Sequence, residues 1–96
     1  MDWTVELNRR AAKRIPALPA LIQERLMYLL ENIRQLGPAR TEMANYSKLR
    51  GTGRKEIHHC HLNRGRPRYV AVWEVLDKSV RLVEVSYVGT HENAPY

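Results

Sequence analysis

KEIHHCHLNRGRPRYVAVWEV, residues 55–75, reads as two extended runs on either side of a turn. Asn63-Arg64-Gly65-Arg66-Pro67 supplies the turn chemistry, and Lys55 to Leu62 and Arg68 to Val75 are the runs it joins. A third run, Val80 to Gly89, follows the turn Leu76-Asp77-Lys78-Ser79, and Gly51-Thr52-Gly53 marks a loop before the first. Consecutive strands on hairpin-length loops form an antiparallel meander.

Upstream of residue 46 the periodicity changes. Trp3, Val5 and Leu7 alternate with Asp2, Thr4 and Glu6, the period of a half-buried strand. A short helix through Ala11, Ala12 and Ile15 should end near Pro16, and Pro19 should open a longer one. In that helix Leu18, Leu21, Ile22, Leu26, Leu29, Leu30, Ile33 and Leu36 recur at three- and four-residue steps, with Glu24, Arg25, Glu31 and Arg34 off the stripe. Gly37-Pro38 gives the glycine stop and proline block. The expected class is α+β, a single domain over residues 1–96 with two N-terminal helices packed on a mainly antiparallel, twisted sheet.

Ninety-six residues hold one modest core and no second. Cys60 is the only cysteine, so an internal disulfide is excluded and a reducing cytoplasm is the natural compartment. The opening residues lack the charged and apolar regions of a signal peptide. No apolar run approaches the roughly 20 residues that span a bilayer. A small, basic, soluble protein with no membrane contact is expected.

Charge is concentrated. Between Lys48 and Arg68 lie Lys48, Arg50, Arg54, Lys55, Arg64, Arg66 and Arg68 against one acid, Glu56, which equals the net +6 of the whole chain. Such a field favours a polyanion, and phosphate is the one that arginine forks and lysine points bind best. Histidines are threaded through it. Strand alternation places His58, Cys60 and Leu62 on one face, facing the helices, and His59 with His61 on the other. Antiparallel pairing would bring His91 and Tyr96 to the rim of that second face.

Several of these residues have plain structural readings. His58 falls on the core side, Cys60 reads as a small buried hydrophobe, and Trp3 and Trp73 read as core. Arg9, Arg10, Lys13 and Arg14 form a solvated helix face. A zinc site at His-x-His is disfavoured, since no cysteine or carboxylate completes a set and the nearby cations repel a metal. Neither a metal nor a cofactor is expected.

Taken in order, three segments resemble the RelE/ParE superfamily of bacterial toxin–antitoxin toxins. Lys48-Leu49-Arg50-Gly51 is similar to the family's Lys-Leu-Arg-Gly segment at the start of the sheet. Val72-Trp73-Glu74-Val75-Leu76-Asp77 is similar to its Val-Tyr-x-Val-(Ile/Leu)-Asp strand. Val88-Gly89, followed by a basic position, a glutamate and a tyrosine, is similar to its C-terminal segment. The resemblance covers nearly the whole chain and implies the order β-α-α-β-β-β-β. It also implies a cognate antitoxin as partner, in a hetero-oligomer, and messenger RNA on the ribosome as target.

Carried over by position, the family's two basic residues after the Lys-Leu-Arg-Gly segment are His59 and His61, where RelE-like members have lysines. Its catalytic arginine falls on His91, and its catalytic tyrosine on Tyr96 after one deletion. Its middle-strand arginine falls on Val70, with Arg68 the stand-in two residues earlier. The implied catalytic set is His59, His61, His91, Tyr96 and Arg68, with His59 or His61 as base and His91 as acid. Lys48, Arg50, Arg54, Lys55, Arg64 and Arg66 are the expected RNA contacts. Two other readings stand beside the nuclease: a ParE-like DNA gyrase inhibitor acting by binding, and a basic nucleic-acid-binding module. A gyrase-directed member is not expected to cluster histidines.

Overall fold

The structure, a computed structural model, describes residues 2–96. Strand β1 (Thr4–Leu7) leads to helix α1 (Arg9–Arg14), a 3-10 turn (Ile15–Ala17) and helix α2 (Ala20–Leu36). Strands β2 (Ser47–Lys48), β3 (Glu56–His61), β4 (Tyr69–Asp77) and β5 (Leu82–Thr90) follow, then a 3-10 turn at His91–Asn93. The strands form one sheet in the order β1-β5-β4-β3-β2. β1 runs parallel to β5 and every other pairing is antiparallel. The expected α+β class and element order are both present.

Helix α2 buries Ile22, Leu26, Leu29 and Ile33, a four-three-four spacing on one face. These side chains pack on Cys60, Leu62, Ala71, Trp73, Val75, Val83, Val85 and Val88 of the sheet. Leu21 and Leu36 do not join that stripe and are more than half exposed. Leu21 precedes Ile22 by one residue, about 100° around the helix, and Leu36 is the last helical residue.

Both helix ends are fixed by identifiable bonds. Asn8 caps α1: its side-chain oxygen accepts from Ala11 N at 2.8 Å. Pro16 lies in the 3-10 turn that follows α1, so the chain tightens there. Gly37 ends α2 at φ 99°, and a Cβ there would lie 3.2 Å from Trp3 Nε1, so glycine suits both the backbone and the space. The Trp73 indole donates to Pro38 O at 2.9 Å, tying this turn to the sheet. Arg34 pairs with Asp2 and Glu31 beside it.

Between Val72↔Tyr87 and Trp73↔Val85 the register skips Ser86, a β-bulge in β5. Val83 and Val85 face the helices, while Tyr87 joins Val70 and Val72 on the opposite, open face. The carbonyl of Ser86 accepts from Asn8 Nδ2 at 3.0 Å, so the residue skipped by the bulge keeps a partner. Among the described residues no helix is long and apolar enough to cross a membrane.

Candidate active site

The open face carries four aromatic rings in a closed circuit. His59 and His61 project from β3, opposite Val72 and Val70 of β4. Their ring centroids are 6.2 Å apart. His61 lies 5.4 Å from His91, His91 lies 6.1 Å from Tyr96, and Tyr96 lies 4.9 Å from His59. All four contacts are edge-on. His59 and His61 are half-buried, His91 and Tyr96 exposed, so the cluster opens to solvent.

What brings residues 91–96 to β3 is the burial of three apolar groups. Val70, Val72 and Tyr87 are 0%, 2% and 7% exposed although no helix covers this face; Ala94 packs against them. The turn that precedes Ala94 is held twice. His91 N donates to Arg68 O at 2.7 Å, and the Tyr87 hydroxyl donates to Thr90 O at 2.7 Å. Tyr87 reaches Thr90 by lying over Gly89, where a Cβ would stand 2.6 Å from its oxygen. The Arg14 guanidinium sits over the Tyr87 ring at 5.2 Å, bringing a cation from α1 onto the same face.

Burial, then the charges of Arg68, His91 and His59, hold His61 below the ordinary histidine range. Tyr96 is pushed above the ordinary phenol value, chiefly by burial, and stays protonated. Arg68 lies between two small clefts: one of about 170 Å³ shared with Arg66, Thr90 and His91, and one of about 400 Å³ shared with His61, Asn63 and Arg64. The stand-in arginine therefore neighbours two of the three imidazoles.

Basic groups flank the rings at both ends of β3. Arg64 and Arg66 are exposed on the β3–β4 hairpin beside Arg68. Lys48, Arg50, Arg54 and Lys55 line a hollow of about 1030 Å³ at the opposite end, with Lys78. Arg50 also borders an apolar cleft of about 410 Å³ formed with Leu49, Ile57, Val72, Pro95 and Tyr96. Arg54 and Lys55 thus lie outside the ring cluster, while Arg50, Arg64, Arg66 and Arg68 border it.

His58 is buried, as its face requires. Its Nε2 bonds Glu56 Oε2 at 2.7 Å, its Nδ1 bonds the Tyr46 hydroxyl at 2.6 Å, and its ring stacks on Trp73. Burial pushes its pKa down, against the pull of Glu56. Burial would raise the Glu56 carboxyl, but bonds from Lys78 and His58 outweigh it and hold the group below its ordinary value. Burial pushes the Cys60 thiol up to about 12, which leaves it inert. Among the described residues no group of three His, Cys, Asp or Glu side chains is arranged to hold a metal ion.

Sequence reasoning passed over Ser47, Tyr87 and Lys78, and read Arg14 only as part of a solvated helix face. Ser47 Oγ lies 2.9 Å from His59 Nδ1. Tyr87 reaches the face through the bulge at Ser86, which alternation does not reveal; Arg14 comes from α1 to lie over the Tyr87 ring, and Lys78 arrives by bonding Glu56 at 2.9 Å.

No family model matches the sequence, and no curated protein does. Solved structures do match. The crystal structure of the archaeal RelE–RelB complex from Pyrococcus horikoshii OT3 includes a chain 18% identical, with a TM-score of 0.77 over 98% of this chain and 100% of that one. An E. coli RelE toxin double mutant in the free state is 22% identical, with a TM-score of 0.69 over 98% of this chain and 88% of that one. Helices, sheet order and the circuit of rings are thus carried on the fold of the RelE toxins.

Proposed function

We propose that this chain is the toxin of a type II toxin–antitoxin pair, an endoribonuclease that cuts messenger RNA on the ribosome and so stops translation. The observation that carries the reading is the circuit of His59, His61, His91 and Tyr96 between two cationic ends. RNA can be cut by transesterification without a water nucleophile. A base takes the proton of the 2′-hydroxyl as its oxygen bonds to phosphorus. The bond from phosphorus to the 5′-oxygen breaks, and an acid gives that oxygen a proton. The products are a 2′,3′-cyclic phosphate and a free 5′-hydroxyl.

Histidine, with an ordinary pKa near 6.5, serves either proton role at neutral pH. His59 and His61, on the strand, are the candidates for base. His91, on the far side of the circuit, is the candidate for acid. Arg68 stabilises the crowded phosphate as negative charge builds on its oxygens, and the protonated Tyr96 hydroxyl orients the reacting groups. Lys48, Arg50, Arg54 and Lys55 at one end, and Arg64 and Arg66 at the other, hold the flanking phosphates. The archaeal neighbour is a complex with RelB; a cognate antitoxin that covers this basic face is the matching partner here.

Induced expression with mapping of messenger-RNA ends, run beside a DNA-damage readout, tests the reading. Codon-spaced breaks that vanish in His91→Ala support it. Gyrase-dependent damage without cut messages would overturn it in favour of a gyrase inhibitor, and neither effect would leave a binding module.

A further inference from the structure

β2 meets β3 through two residue pairs, Ser47 opposite His59 and Lys48 opposite His58. The two histidines are neighbours in sequence and point to opposite faces. Each has a partner that can only accept a hydrogen bond. For His58 it is the Glu56 carboxylate, 2.7 Å from Nε2. Nε2 must then carry the hydrogen, and Nδ1 is left to accept the Tyr46 hydroxyl at 2.6 Å. For His59 it is the main-chain carbonyl of Ser47, 3.3 Å from Nδ1, with Ser47 Oγ on the same nitrogen at 2.9 Å. A hydrogen on Nδ1 satisfies both contacts at once, whereas a bare Nδ1 could accept from Oγ only by facing the lone pairs of the carbonyl. Tyr96, edge-on at 4.9 Å, and His61, edge-on at 6.2 Å, hinder a flip of the His59 ring that would exchange its nitrogens.

We propose that adjacent His58 and His59 are locked in opposite tautomers, and that Ser47 is the positioning residue that leaves Nε2 of His59 as a bare lone pair on the open face. The role of that lone pair rests on the nuclease reading: it is the atom that takes the 2′-hydroxyl proton. His59, and not His61, is then the base. His91, at the opposite corner of the circuit, is left to deliver the proton to the departing 5′-oxygen. Ser47 touches no reacting atom. It fixes which nitrogen of the base faces the RNA, as the carboxylate or carbonyl partner of a functional histidine does elsewhere.

Long-range proton–nitrogen spectra of the ¹⁵N-labelled full chain, recorded about one unit or more above the ordinary histidine pKa, read each tautomer directly and need no RNA. His58 should show a protonated Nε2 and a bare Nδ1, and His59 the reverse. A protonated Nε2 on His59 would overturn the proposal, even if messages are cut. Ser47→Ala keeps the carbonyl at 3.3 Å but removes the shorter, 2.9 Å partner of Nδ1. His59 should then relax toward a tautomer mixture and kcat should fall by roughly tenfold with KM unchanged, within the penalty of about 10²-fold for a misplaced catalytic group. Ser47→Thr, which restores the hydroxyl, should recover most of the rate. Equal kcat for Ser47→Ala and wild type would overturn the positioning role. A chain with the expected nitrogen pattern that cuts no message would instead overturn the nuclease reading, leaving the tautomer lock in place.

Discussion

His58 shows how one buried titratable ring ties stability to pH. Its folded-state pKa lies below the unfolded value because burial opposes the charge. The unfolded chain therefore binds more protons in the window below about pH 6.5, and the stability that depends on a neutral ring is lost as pH falls through it. Acidification from pH 7 to 5 should lower Tm. His58→Gln should flatten that dependence, the remaining slope belonging to His61, whose pKa is lowered in the same sense. A wild-type Tm that rises on acidification would contradict this. Gly89 offers a steric counterpart. Gly89→Ala places a methyl 2.6 Å from the Tyr87 hydroxyl oxygen, so the ring must leave Thr90 O. Thermal melts should show a loss of about 1–3 kcal/mol, the usual range for overpacking. At this scale the sequence was legible wherever strand alternation held: His58 and Cys60 inward, His59 and His61 outward. It was not legible at Tyr87, because the extra residue in β5 turns the following side chains over, and nothing in Val85-Ser86-Tyr87-Val88 announces it.

Among the elements, segment 91–96 has the most to do with the candidate site. Val70, at the position where the resemblance expects an arginine, is instead the floor of the patch under Ala94. A residue that departs from the family pattern thus serves the docking that brings Tyr96 to His59. Ala94→Asp puts a charge on that apolar patch, and burying one unpaired is costly enough that the segment should lift instead. We expect loss of the ring-current shift between Tyr96 and His59, and cleavage reduced as far as in Tyr96→Ala, with Tm little changed. A preserved ring contact would show that other forces hold the segment. The helices were legible from their punctuation, Gly37-Pro38 above all. The stripe read on α2 was too wide, since Leu21 and Leu36 share its spacing but lie beyond the sheet's reach.

Across the whole molecule, the circuit of rings sits on a strand-length strip with positive charge at each end. A six-residue strand spans about 20 Å, so RNA crossing the strip would place phosphates against both basic groups. For roughly four neutralised phosphates on a single strand, log K should fall with log salt at a slope near −3. Replacing Arg64 and Arg66 with glutamine should reduce that slope by about 0.7 per lost contact, and replacing Arg54 and Lys55 should do the same from the other end. A slope that responds at one end alone would contradict binding along the whole strip. The basic segment was legible as charge from composition. Its division into two ends was legible too, from the turn read at residues 63–67; that Arg68 shares one cleft with His61 and another with His91 was not, because it depends on how β4 and the segment after β5 pack together.

The most direct test is cleavage of messenger RNA by the purified chain in a translating extract, with product ends identified chemically. We expect 2′,3′-cyclic phosphate and 5′-hydroxyl ends, and rates lower by about 10²–10⁴-fold in His59→Ala and His91→Ala, with both variants folded. Full cleavage by both variants, or no cleavage by the wild-type chain, would contradict the role given to the ring cluster.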